Sequence, residues 1–96
     1  MYTVVVSSRA SKEIRKRGKN FKEKIAPIVN LLEADPKTFG SEQLSGMLDA
    51  VYSYHFSYGG VRYRLAYIVN EETKVVSIIL VAPRENFYKK LQRMLS

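Results

Sequence analysis

Two glycines, Gly59 and Gly60, stand between two runs of alternating side chains, and no other feature constrains the chain so tightly. Before them Tyr52, Tyr54 and Phe56 alternate with Val51, Ser53, His55 and Ser57. After them Val61, Tyr63, Leu65, Tyr67 and Val69 alternate with Arg62, Arg64, Ala66 and Ile68. A two-glycine loop between such runs predicts a tight β-hairpin, because the favoured two-residue turns need positive φ. The loop also sets the register. With both glycines in the turn, Tyr58 opposes Val61, Ser57 opposes Arg62, Phe56 opposes Tyr63 and His55 opposes Arg64. Opposed residues share a sheet face, with Cβ atoms about 4.5–5.5 Å apart. One face then carries Tyr52, Tyr54, Phe56, Tyr63, Leu65 and Tyr67 and is the predicted core side. The other carries His55, Ser57, Arg62 and Arg64 at one end, and Val51, Ala66 and Ile68 at the other.

The flanking segments complete an α+β domain. Tyr2 to Val6 is a β-branched run and reads as a strand, which the sequence alone does not place in the sheet. Ser7 or Ser8 caps a helix to about Arg17, with Ala10 and Ile14 inward and Gly18 as its stop. Asn20 and Glu23 read as a capping box for a second helix, whose Phe21, Ile25, Ile28 and Leu32 form an apolar stripe. Pro27 inside that stripe removes a backbone donor and predicts a kink, and Asp35-Pro36 ends the helix. Residues 36–50 read as a loop. A turn at Asn70 to Thr73, with those two opposed, leads into a third meander strand from Lys74 to Val81. Apolar residues on both of its parities predict cover on both faces. This register puts Ile79 beside Arg64 and Val81 beside Arg62. Pro83 ends the strand, and Glu85 to Leu95 reads as a closing helix with Phe87, Leu91 and Met94 on one side. The expected architecture is β-α-α-β-β-β-α in one domain over residues 1–96: an antiparallel meander, an N-terminal helical hairpin on one face, and a C-terminal helix.

Charge narrows the function. Sixteen Lys and Arg against nine Asp and Glu give a net charge of +7, which favours a polyanionic partner. Arg9, Lys12, Arg15, Lys16, Arg17, Lys19, Lys22 and Lys24 crowd the two N-terminal helices, and Arg84, Lys89, Lys90 and Arg93 the last one. The absence of cysteine removes any disulfide framework or thiolate metal site. With no membrane-length apolar stretch and no secretion signal, a cytoplasmic protein without membrane contact is expected. Arg84 follows three residues after Val81 and emerges at the arginine end of the sheet, and Tyr88 lies one helical turn further on. His55, Arg62, Arg64, Arg84 and Tyr88 therefore converge on one patch. Several guanidiniums without matching acids want an anion between them, and their forked donors suit phosphate. The competing reading is a solvated basic edge with each Arg lying along the sheet. His55 is the only histidine, so no imidazole or thiolate is available to complete a metal site with it. No phosphate-binding glycine loop, nucleophile elbow or close carboxylate pair is present.

The stretch Arg62-Tyr63-Arg64-Leu65-Ala66-Tyr67, then a turn, an apolar strand and Arg84-Glu85-Asn86-Phe87-Tyr88, resembles the RelE/ParE toxin superfamily. Its members have a YRxxY-type strand and a late Arg-x-x-x-Tyr, and the likeness extends through the helical hairpin and Leu44-Ser45-Gly46. The resemblance implies a RelE-like fold and a toxin of a type II toxin–antitoxin pair. It further implies a ribosome-dependent, metal-independent endoribonuclease that needs no cofactor and cleaves mRNA by 2′-hydroxyl attack, leaving a cyclic phosphate. Carried over by position, Arg64 would stabilise the charged phosphorane and Arg84 the phosphate or leaving group. Tyr88 would activate the 2′-hydroxyl or stack on a base, with His55 as the candidate general acid. RelE itself has lysines where this strand offers His55 and Ser57. Arg62, Ser57, Arg15, Lys16, Lys19, Lys22 and Lys89 are the candidate RNA contacts. Implied partners are the ribosome, mRNA and a RelB-like antitoxin with an acidic binding segment that displaces the helix around Phe87 to Leu95. The alternatives are a ParE-like gyrase inhibitor and a non-catalytic basic RNA-binding module.

Overall fold

A computed structural model describes residues 1–37, 41–44 and 51–95. Its elements run β1 (Thr3–Val6), α1 (Ser8–Lys16), α2 (Lys19–Ala34), β2 (Ser41–Gln43), β3 (Val51–Tyr58), β4 (Val61–Asn70), β5 (Val75–Pro83) and α3 (Arg84–Leu95). The strands form one sheet in the order β1-β5-β4-β3-β2. The α+β class and element order are as expected, with β2 added. That strand arises where the sequence reads as loop: Ser41, Glu42 and Gln43 pair with Tyr54, Ser53 and Tyr52 at the open edge of β3. A polar triplet has no strand pattern of its own, and the neighbour's free backbone groups supply the pairing. Gly40, Ser45, Gly46 and the rest of that stretch outside 41–44 lie outside the described residues from position 38 to 50.

Local signals hold closely in the hairpin. β3 and β4 pair in the expected register from Val51 opposite Ile68 to Tyr58 opposite Val61. Gly59 and Gly60 have φ of 57° and 77°, the positive values a two-residue turn asks for. Ser7 caps α1, its Oγ accepting from the Ala10 amide at 3.1 Å. The Asn20 capping box does not form. Only Arg17 and Gly18 separate the two helices, so Gly18, at φ 98°, is the cap and Asn20 falls inside the first turn of α2. Helix α2 carries Pro27 on an exposed position and is continuous from Lys19 to Ala34.

The β4–β5 register differs from expectation by three positions. Asn70 pairs with Val75, because the turn holds four residues, 71–74. Its Oδ1 accepts from the Glu72 and Thr73 amides at 3.0 and 3.1 Å, and Lys74 takes a left-handed φ of 59° to close it. A β-bulge adds the third position: Tyr67 opposes Ile78 and Ala66 opposes Leu80, leaving Ile79 over. An odd shift exchanges faces. Val81 therefore opposes Leu65 on the core side, and Ala82, not Ile79, lies beside Arg64.

Two apolar layers result. Under α1 and α2, Ala10, Ile14, Phe21, Ile25, Ile28 and Leu32 pack on Tyr63, Leu65, Tyr67, Val76, Ile78 and Val81. Each large side chain buried there contributes roughly 1.5–3 kcal/mol. On the opposite face Phe87 and Leu91 of α3 pack on Leu44, Val51, Ala66, Leu80 and Ala82. The first strand, whose place the sequence leaves open, lies at the sheet edge parallel to β5. Arg17 is drawn out of the basic helix surface: it lies over the rings of Tyr63 and Phe21, with its Cζ 5.1 and 5.6 Å from their centroids, and pairs with Glu13 at 3.7 Å.

Candidate active site

Helix α3 covers only part of its face of the sheet. Beyond it a groove remains, lined by His55, Phe56 and Ser57 of β3, Arg62, Tyr63 and Arg64 of β4, and Arg84 at the start of α3. Strand alternation puts His55, Ser57, Arg62 and Arg64 on this side. Pro83 ends β5 opposite Tyr63, so Arg84 emerges beside the same strand end. Tyr88 joins from the next turn of α3. Arg64 Nη1 donates to its hydroxyl oxygen at 2.6 Å, and the guanidinium carbon lies 5.1 Å from the Tyr88 ring centroid. Phe87 packs edge-on against the same ring, and Tyr88 stays 39% exposed. Among the described residues no carboxylate comes within ion-pair distance of Arg62, Arg64 or Arg84.

His55 has neighbours that the sequence did not signal. Its Nε2 lies 3.3 Å from the hydroxyl of the buried Ser53 and 3.7 Å from Glu42 Oε2. Partial burial lowers its pKa below the ordinary 6.5, and Arg64 and then Arg84 push the same way while Glu42 opposes them. Glu42 reaches His55 only because β2 pairs with β3, and a polar triplet in a loop-like stretch gives no warning of that. Of the other candidates, Lys89 is exposed on α3 and outside the lining of this groove. Arg15, Lys16, Lys19 and Lys22 are exposed on α1 and α2, which cover the opposite face of the sheet. The structure thus brings together His55, Ser57, Arg62, Arg64, Arg84 and Tyr88, and sets the helical cations apart. Chemically, the groove offers donors, positive charge and an imidazole to a phosphodiester, and Arg64 holds the Tyr88 phenol beside it.

Residues 4–92 match the family described as ParE-like toxin of type II bacterial toxin-antitoxin system. The chain belongs to that family. Its fold is that of the RelE toxins. A substituted E. coli RelE toxin in the free state superposes with a TM-score of 0.72 at 27% identity, covering 96% of each chain. E. coli RelE bound to a peptide of its antitoxin gives a TM-score of 0.70 at 29% identity, over 94% of this chain and 93% of that one. RelE from an archaeal RelE–RelB complex of Pyrococcus horikoshii gives 0.65 at 26% identity, over 86% and 94%. No curated protein sequence matches the chain. Among the described residues no helix is long and apolar enough to cross a membrane.

Proposed function

We propose that this toxin is an endoribonuclease that cuts mRNA on the ribosome, in the cytoplasm, by attack of a ribose 2′-hydroxyl on the adjoining phosphate. The observation that carries the reading is three arginines on one groove with no carboxylate among the described residues in ion-pair distance of them. In the reaction a P–O2′ bond forms and the P–O5′ bond breaks, giving a 2′,3′-cyclic phosphate and a 5′-hydroxyl. Charge builds on the phosphorane oxygens, where preorganised guanidiniums stabilise it most. Arg64 and Arg84 take that role, Arg62 and Ser57 hold the flanking backbone, and Tyr88, aligned by Arg64, hydrogen-bonds the attacking hydroxyl, whose proton passes to water as the P–O2′ bond forms. His55 donates the proton that the 5′ oxygen needs on leaving, from the minor protonated form that its two arginine neighbours allow.

A partner follows from the same family. RelE proteins are known in complex with RelB antitoxins. For this chain we propose a cognate antitoxin with an acidic segment that neutralises the groove and displaces α3. Arg15, Lys16, Lys19, Lys22 and Lys89 are proposed as outer contacts to ribosomal or messenger RNA.

The test is a reconstituted translation reaction with mapped messenger ends. Wild type should cut within A-site codons, and Arg64→Ala and Arg84→Ala should each cut at least about a hundredfold more slowly. Equal cutting by wild type and both variants would refute the assignment. Inhibition of gyrase supercoiling with messenger left intact would instead favour the ParE-like alternative, and salt-sensitive RNA binding without cutting would favour a plain binding module.

A further inference from the structure

Arg62 and Arg84 also form a wall of a second groove, on the other side of the pair from His55. Gly60, Val61, Pro83 and Glu85 complete its lining. It exists because β4 overhangs β5. Strand β4 begins at Val61, but its pairing with β5 starts only where Tyr63 meets Pro83. The chain then turns directly into α3. Val61 and Arg62 are left without a strand on that side, and a notch opens between the hairpin tip and the first turn of the helix. Its chemistry differs from that of the first groove. Val61, 43% exposed, gives an apolar ledge beside Pro83. Among the described residues Glu85 is the one carboxylate lining either groove. Although it shares the notch with two arginines, it forms no ion pair among the described residues. Its place in the first turn of α3 also suits the helix dipole.

We infer that this notch is a base subsite selective for guanine: Arg62 and Arg84 hold a phosphate at the boundary of the two grooves, and Glu85 reads the base of the adjoining nucleotide on the Val61–Pro83 ledge. The inference rests on the proposed RNA substrate. A carboxylate only accepts hydrogen bonds. Single-stranded RNA presents its Watson–Crick edges to side chains. Guanine alone offers two adjacent donors there, the N1–H and the N2 amino group, which both carboxylate oxygens can take at once. Adenine and cytosine offer one exocyclic amine each, and uracil one imino group. The arginines supply backbone affinity without base preference, and Glu85 supplies the preference.

The experiment is binding by the full chain of a short uridine-rich RNA with a single guanosine beside a 2′-deoxy position, which blocks attack so that affinity is read without cleavage. Fluorescence anisotropy should give about tenfold tighter binding than for the same RNA with inosine, which lacks the N2 amino group, or adenosine at that position. In Glu85→Ala the three RNAs should bind within about twofold of one another. Glu85→Gln, which keeps the shape and the exposed helix position, should lose most of the preference while circular dichroism matches wild type. Equal wild-type affinity for the three RNAs, or a preference that survives Glu85→Ala, overturns the inference. The two readings fail separately. Ribosomal cutting without guanine preference removes only the subsite, whereas guanine preference without cutting removes only the nuclease.

Discussion

The two faces of the sheet are made by the same alternating strands and have opposite fates. On one, β3, β4 and β5 present aromatic and aliphatic side chains, and two helices cover them. Phe21 alone meets the rings of Tyr58 and Tyr63 edge-on at 5.2 and 5.1 Å and Phe56 at 6.0 Å. On the other, the twelve-residue α3 covers Ala66, Leu80 and Ala82 and leaves the cationic end open. The difference is one of hydration. Aromatic rings gain by leaving water, whereas guanidiniums without acids lose unless an anion comes with them. One face therefore holds the fold together, and the other keeps charge available for a ligand.

Substitutions on each face sharpen this division. The largest effect is expected from Phe21→Ala, which opens a cavity in the helix-covered layer at a cost of about 3–5 kcal/mol. Thermal denaturation should show a midpoint roughly 15 °C or more lower. A fall of only a few degrees would mean that the covered face does not carry the stability. Next comes Tyr88→Phe, which removes the hydroxyl bonded to Arg64 from an exposed ring. We expect cutting on ribosomes to slow by about tenfold to a hundredfold, with the denaturation midpoint nearly unchanged. A variant that instead loses stability and keeps full activity would place Tyr88 with the core.

The smallest effect concerns His55, whose titration can be followed by NMR. Its folded pKa lies below 6.5, so folding releases a proton, and the linked stability is lost as pH falls below 6.5 through the folded value. At pH 7 the ring is mainly neutral. Glu42→Gln removes the contribution that raises this pKa and should lower it further, while Arg64→Ala should bring it back toward 6.5. A titration that neither substitution moves would disconnect β2 and β4 from the imidazole.

The sequence by itself determined the β3–β4 hairpin, its register and the side chains on each of its faces. A two-residue glycine loop is a local steric device, and alternation carries its register outward to Val51 and Ile68. That was enough to bring His55, Arg62 and Arg64 to one side, and the i, i+4 spacing ties Tyr88 to Arg84. The expected pairing of Val81 with Arg62, from which Arg84 is placed, does not form, and Arg84 reaches the patch because β5 ends at Pro83 opposite Tyr63. Only the tertiary structure decided the rest. The β4–β5 register depends on a left-handed Lys74 and a bulge at Ile79, neither marked by glycine. The parallel pairing of β1 with β5 joins segments some seventy residues apart. The approach of Glu42 to His55 needs β2 to form on the open edge of β3. Local steric rules are written in neighbouring residues, whereas these three features follow from what packs or pairs best once distant segments have met.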